Sequence, residues 1–242
     1  MTDHDLAAHL ATQAGRLLVG VRAEFAESTA AERKVAGDKR SHDFLMEALA
    51  AARPDDAVLS EEGVDNPVRV RADRVWIVDP LDGTREFSEL GRQDWAVHVA
   101  LWQSGELVAG AVALPAQGIT LATPDVAAPP PASAAPRIVV SRTRPPAIAL
   151  EVRDRLEGTL VEMGSAGVKV AAVVQGLADV YVHAGGQYEW DSAAPVAVAR
   201  AAGLHTSRID GSPLRYNQPD PLLPDLVICR PELADAVLAV TG

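Results

Sequence analysis

Apolar residues recur at helical spacing from the start of the chain. Leu6, Leu10, Leu17, Leu18 and Val21 lie among alanines between residues 3 and 25, a spacing that turns one face of an amphipathic helix inward. A second helical pattern, DKRSHDFLMEALAAA, covers 38–52, with Asp38 at the N-cap position and Pro54 closing the run. The period then changes to that of strands. AVLS (57–60) runs into Glu61 and Glu62, and VWIVD (75–79) ends at Asp79. WAVHVAL (95–101) and VAGAVALP (108–115) flank the turn QSGEL and predict a hairpin.

After that hairpin the periodicity lapses. The stretch PDVAAPPPASAAP (124–136) is rich in proline and alanine and reads as an exposed loop dividing two lobes, 1–123 and 137–242. The second lobe alternates a strand at RIVVSRT, a helix at ALEVRDRLEG, a helix over 166–176, a strand over 179–183 and a helix at SAAPVAVARAAG ended by Gly203. DLVICR then predicts a strand, and PELADAVLAV a closing helix with proline in its first turn. Interleaved strands and helices in both halves predict an α/β or layered α+β fold and exclude all-helical and all-strand classes. No internal repeat is present.

Composition restricts the partners. With 242 residues, 48% of them hydrophobic, the chain is long enough to bury a sizeable core. Acidic residues outnumber basic ones 33 to 22, a formal charge of -11, so the surface as a whole repels nucleic acid and anionic lipid. An anionic ligand then needs a metal or a few placed bases. The single cysteine, Cys229, excludes an intrachain disulfide and a multi-cysteine zinc site. No apolar run approaches the ~20 residues that span a bilayer. The N-terminus carries acidic residues where a signal peptide carries positive charge. A cytoplasmic protein is expected.

The sequence holds no GxxxxGK[ST], GxGxxG, HExxH or GxSxG, so nucleotide-loop, zinc-protease and serine-hydrolase chemistry lacks its usual signature. Carboxylates remain. Asp79 and Asp82 follow one apolar strand and Glu61 and Glu62 another, and open α/β sheets place ligands beyond such strand ends. Like charges brought together repel unless a cation neutralises them, so convergence implies a hard, oxygen-loving ion, magnesium first and manganese or calcium after it. DPLDG also has the chemistry of an ordinary turn, and by itself leaves a structural turn and a ligand site both open. Its DxxD spacing differs from the DxD of nucleophilic-aspartate phosphatases, whose residues i and i+2 share one face of a strand. With Pro80 and Leu81 between the aspartates the chain must turn to unite them, which suits metal ligation, and the Thr84 hydroxyl follows in place to orient a water.

LSEE (59–62), WIVDPLDGTREF (76–87) and WDSAAP (190–195) together resemble the inositol monophosphatase superfamily of magnesium-dependent, lithium-sensitive phosphatases. GDKRSHDFL, GSAGVKVAAVVQGLADVYVH and DGSPLRYN extend the resemblance over most of the chain. It implies a layered αβαβα sandwich like that of fructose bisphosphatase. It also implies that Glu61, Asp79 and the Leu81 carbonyl hold one metal, and that Asp79, Asp82 and Asp191 hold a second. Asp38 and Thr84 would orient and deprotonate the attacking water, Glu62 would support the cluster, and the amides of Gly83 and Thr84 would bind phosphate. Two or three Mg2+ ions are implied, with Mn2+ a substitute, and dimers are usual among relatives.

Within the superfamily, DPLDGTREF, VVSRT and WDSAAP look more like the 3′(2′),5′-bisphosphate nucleotidase branch, which implies 3′-phosphoadenosine 5′-phosphate as substrate, its sulfated form beside it, and a link to sulfate assimilation. Inositol enzymes carry a sugar-binding glutamate where this chain has Ala184. The alternatives are a phosphatase of inositol phosphates or fructose 1,6-bisphosphate, and a non-catalytic binding protein that kept the fold. Ser141, Arg142, Ser165 and Lys169 supply donors for the nucleotide's other phosphate or sugar, with Arg144 ranked after them. SRTR here replaces the SRSH of the bacterial nucleotidases. His98, His183 and His205 are expected to be structural, and Trp76, Trp95 and Trp102 to sit in the core.

Overall fold

A computed structural model describes residues 1–132 and 134–242, so Ser133, inside the predicted 124–136 loop, lies outside the described residues. The rest of that stretch carries neither helix nor strand. In chain order the elements are α1 (Asp3–Glu24), α2 (Ala30–Ala52), β1 (Ala57–Ser60), β2 (Arg74–Asp82), α3 (Thr84–Ser88), β3 (Ala96–Gln103), β4 (Glu106–Leu114) and β5 (Ile119–Ala122). There follow β6 (Arg137–Ser141), α4 (Ala147–Arg155), β7 (Thr159–Met163), α5 (Ala166–Val174), β8 (Val180–Ala184), α6 (Glu189–Ala201), β9 (His205–Ser207), β10 (Asp225–Cys229) and α7 (Ala234–Thr241).

The strands form two five-stranded sheets, ordered β1-β2-β3-β4-β5 and β7-β6-β8-β10-β9. In the first, β1 runs parallel to β2 and the remaining pairs are antiparallel. In the second, β7, β6 and β8 are parallel, and β10 is antiparallel to both β8 and β9. Alternation along each strand divides the apolar residues between layers. On β2, Trp76 and Val78 face α1 and α2, where Leu6, Leu10, Leu18, Leu45 and Leu49 pack, while Val75 and Ile77 face the opposite side. There α5 and α6 fill the space between the sheets, Val170, Ala194 and Val198 meeting Tyr181, Leu226 and Ile228 of the second sheet. Val152 of α4 and Val237 of α7 cover that sheet's outer face. The layers are therefore αβαβα. Gly110 lets α6 lie close on β4, because a Cβ there would stand 2.5 Å from that of Ala197.

Helix α2 begins eight residues before its predicted start. Thr29 is its N-cap, and Thr29 and Glu32 bond reciprocally in a capping box, so Asp38 lies inside the helix and not at its end. The polar stretch before Asp38 hid this extension. Its Arg33 is buried and donates to the carbonyls of Phe25, Ala26, Ser28 and Ser88, and Gly37 packs on Phe87 and Leu81, so neither advertises an inward face by hydrophobicity.

Candidate active site

The site begins where β2 stops pairing regularly. Its register with β3 shifts between Asp79 and Asp82, and Pro80 and Leu81 fill the irregularity. Ser41 Oγ donates to the Pro80 carbonyl at 2.7 Å, and the Leu81 N–H donates to Asp79 Oδ1 at 3.0 Å. Gly83 then takes the left-handed conformation, φ 82°, and a Cβ there would stand 3.0 Å from that of Ser165. This turn starts α3, with Thr84 Oγ1 donating to the Leu81 carbonyl at 3.2 Å.

Asp82 reaches across to the start of α5. Its Oδ2 accepts from Ser165 Oγ at 2.5 Å and from the Gly167 N–H at 2.6 Å, and its Oδ1 from the Ala166 N–H at 3.1 Å. Ser165 is held at φ 54° to make this contact and also caps the Val168 N–H. Asp191 arrives from α6, where its Oδ2 accepts the Tyr188 N–H at 2.7 Å. Asp79, Asp82 and Asp191 each place one oxygen within 4.8 Å of the others.

The electrostatics are those of a site short of positive charge. Burial, then Glu61, Asp82 and Asp191, push Asp79 well above the usual carboxylate range. Burial and Asp191 push Glu61, which follows β1, up to about 7. Burial and Asp82 push Asp191 to about 6, and burial and Glu62 push Asp38 to about 7. Asp82 alone goes down: burial opposes its charge, but His98, Ser165 and Lys169 outweigh burial and hold it at about 2. An all-oxygen set of crowded carboxylates whose repulsion a cation relieves fits a hard divalent metal.

A cavity of about 640 Å³ opens beside the carboxylates. Asp82, Gly83, Ser165 and Asp191 border it on the carboxylate side, and Ser141, Lys169, Ala184 and Gln187 also line it. Lys169 is buried, its Nζ donating to the Ser165 carbonyl at 2.5 Å and lying 5.4 Å from the Tyr181 ring centre, and burial lowers its pKa. Arg142 does not line the cavity. Its guanidinium donates to Glu86 at 2.9 Å and to Glu89 at 2.8 Å, clamping α3 to the second sheet, and Arg144, two residues on, lines the cavity in its place.

His98 and Gln187 belong to the site but carried no legible signal in the sequence. His98 sits opposite Asp79 in the β2–β3 register. Its Nδ1–H donates to the Trp190 carbonyl at 3.1 Å and its Nε2 stands 3.2 Å from Asp82 Oδ2. Burial disfavours its charge, but Asp82 outweighs burial and raises its pKa. In WAVHVAL it reads as one polar residue in an apolar strand, and no local pattern names its partner. Gln187 is 3% exposed, lines the cavity, and has an amide oxygen without a hydrogen-bond partner among the described residues.

The chain matches the inositol monophosphatase family over residues 5–127 and 132–241. It is 52% identical over 253 residues to the 3′-phosphoadenosine 5′-phosphate phosphatase of Mycobacterium leprae, an alignment covering 99% of this chain and 93% of that protein. To the 3′(2′),5′-bisphosphate nucleotidase CysQ of Escherichia coli K12 it is 34% identical over 196 residues, covering 75% and 78%. The crystal structure of inositol monophosphatase II from Staphylococcus aureus has the same fold, with a TM-score of 0.81 at 20% identity, covering 98% of this chain and 94% of that one. Sequence and architecture agree, and the chain belongs to the inositol monophosphatase family.

Proposed function

We propose that this chain is a Mg2+-dependent phosphomonoesterase that removes the 3′-phosphate of 3′-phosphoadenosine 5′-phosphate, and of its sulfated form, in support of sulfate assimilation. The observation that carries the reading is the cavity: crowded carboxylates border it, and Ser141 and Arg144 line it as well. That composition suits a substrate with two separated phosphates, one at the metal cluster and one on the guanidinium, in a protein otherwise short of positive charge. The relatives named as acting on 3′-phosphoadenosine 5′-phosphate and on bisphosphate nucleotides support the same choice.

Asp79, Asp82, Asp191, Glu61 and the Leu81 carbonyl would hold the metal. When bound, Mg2+ supplies Lewis-acid stabilisation of the phosphoryl oxygens and lowers the pKa of a water. Asp38, at about 7, is poised to take a proton near neutral pH, with the Thr84 hydroxyl beside the Leu81 carbonyl orienting the water. The water oxygen bonds to phosphorus as the bond to the 3′-oxygen breaks, and the leaving oxygen takes a proton from solvent. The backbone after Gly83 offers N–H donors to the phosphate.

Phosphate release from 3′-phosphoadenosine 5′-phosphate, inositol 1-phosphate and fructose 1,6-bisphosphate, at equal concentration with Mg2+, tests the reading. The nucleotide is expected to lead by at least about tenfold in kcat/KM, about 1.4 kcal/mol; a tenfold lead for inositol phosphate refutes it. Arg144→Ala is expected to raise KM for the bisphosphate by about 10-fold or more, the scale of a lost charged hydrogen bond, and to change KM for 3′-AMP little.

A further inference from the structure

We infer that His98 is a positioning residue of the metal site, a brace that sets Asp82 and Asp191 at the correct separation before any metal arrives. The two aspartates are 109 positions apart in the sequence (191 − 82) and come from different layers, one at the end of β2 and one in the first turn of α6. His98 lies between them on β3, fully buried. One ring nitrogen donates to the carbonyl of Trp190, the residue immediately before Asp191, at 3.1 Å. The other, Nε2, stands 3.2 Å from Asp82 Oδ2, a close charge contact that is not aligned as a hydrogen bond. The ring therefore spans the two segments with a rigid five-membered plane, fixing a distance that flexible side chains would leave loose.

A third segment is shaped around the same ring. A Cβ on Gly167 would stand 2.0 Å from His98 Nε2, so only glycine at this point of α5 admits the imidazole, and the Gly167 N–H is itself one of the donors to Asp82 Oδ2, at 2.6 Å. Asp82 Oδ2 is thereby surrounded by Ser165, Gly167 and His98, which leaves Oδ1, with the longer contact to the Ala166 N–H, as the oxygen presented to a metal. Asp79 and Asp191 are also held by backbone amides. Asp79 Oδ1 is tied to the Leu81 N–H and Asp191 Oδ2 to the Tyr188 N–H, so each of these two carboxylates is fixed through one oxygen, with Asp79 Oδ2 3.8 Å from His98 Nδ1.

The inference rests on the carboxylate cluster being a divalent-metal site, and the test separates the two. The experiment is isothermal calorimetry with MnCl2 on the full chain, comparing wild type with His98→Asn and His98→Gln, folding being checked by circular dichroism and by the Tm of the metal-free protein. Asparagine places an amide nitrogen near the position of Nδ1 and keeps the arm to Trp190, and glutamine reaches toward the position of Nε2 and keeps the arm to Asp82. Each variant is expected to bind Mn2+ about 10-fold or more weakly, the usual cost of losing a residue that orients a metal ligand. Activity is expected to return toward the wild-type kcat at high Mg2+, a loss in metal affinity more than in turnover. A merely structural histidine would lower Tm and leave the Kd of the folded protein alone.

Wild-type and variant Kd values within twofold of each other, with fold intact, overturn the brace and leave the metal site standing. Absence of Mn2+ binding by the wild-type protein overturns both. Should neither variant fold, 15N spectra of the histidine rings in wild-type protein decide: Mg2+ addition is expected to shift the His98 signals and not those of His205, and unmoved His98 signals overturn the inference.

Discussion

Replacing Asp38 by asparagine should make the metal-free protein more stable and the enzyme less active, with a stability gain that grows with pH. Asp38 lies within α2, half-buried and beside Glu62, and its pKa rises from 3.8 to about 7. A carboxylate with a raised folded-state pKa keeps its proton in the folded chain after the unfolded chain has released it. Folding then takes up a proton, and stability falls as pH rises toward the folded value. Asparagine carries no such proton. Between pH 5.5 and 8.5 the unfolded aspartate is ionised throughout, so the stability difference widens by about 1.4 kcal/mol for each pH unit from 5.5 to 7, about 2 kcal/mol in all. For a chain of this size that is about 4–8 °C in Tm. Histidines and other carboxylates titrate in both proteins and cancel in the comparison.

The assay is thermal unfolding of both proteins in EDTA at pH 5.5, 7 and 8.5. A gap in Tm that does not change with pH would show that Asp38 ionises normally and would remove it as a proton acceptor near neutrality. In the same variant kcat/KM with saturating Mg2+ should fall by about 10²–10⁴-fold, the range for losing a general base.

Other substitutions probe separate parts of the structure. Asp82→Asn should lower kcat/KM with Mg2+ by more than about 100-fold, and unchanged turnover with the fold intact refutes the metal reading. Arg142→Ala removes the clamp from Glu86 and Glu89 and should lower Tm by about 2–8 °C, taking about 1–2 kcal/mol for partly exposed charged hydrogen bonds; a tenfold rise in KM at unchanged Tm would instead put Arg142 in contact with substrate. Gly110→Val drives a side chain into Ala197 of α6, and at about 1–3 kcal/mol of overpacking should lower Tm by about 2–12 °C, as calorimetry would measure. An unchanged Tm would show that α6 is free to move away from β4.

The parts of the fold legible in the sequence are those whose signal is local. AVLS, WAVHVAL and DLVICR predicted strands that end within a few residues of β1, β3 and β10, because alternation or an unbroken apolar run needs no distant partner to be recognised. β5, β7 and β9 carry no such local pattern. β7 reads TLVEM and β9 only HTS; the side chains of β7 are partly exposed and β9 is three residues long, so pairing in the sheet, not composition, makes them strands. Helix α3 was hidden for a related reason: TREFS is five residues long and begins from the left-handed Gly83, a turn property.

The candidate site divides along the same line. DPLDG and WDSAAP are local, and both prove to lie at the carboxylate cluster. Arg142 and Arg144 are two residues apart with the same side chain, and what separates them is that Glu86 and Glu89 lie opposite one and the cavity opposite the other. Sequence distances of 56 and 53 residues stand between Arg142 and those glutamates. His98 pairs with Asp79 only once β2 and β3 are in register.

The DxxD spacing acquires a physical meaning from these contacts. With a DxD pair on a regular strand, both carboxylates would project to one face with their oxygens equally free. Here the residues between the aspartates break the ladder, and the break supplies the donor that Asp79 needs, the Leu81 N–H, and the carbonyl that Thr84 holds. Asp82 is carried past the sheet to meet the start of α5. Asp79 is thus anchored through one oxygen by the Leu81 amide and Asp82 through both by the amides of Ala166 and Gly167, so the repulsion within the cluster cannot be relieved by swinging the carboxylates apart. It is relieved by protons, as the raised pKa values of Asp79, Asp191 and Glu61 record, or by a cation. Metal binding at neutral pH should therefore expel protons from this cluster, because the same carboxylates serve both.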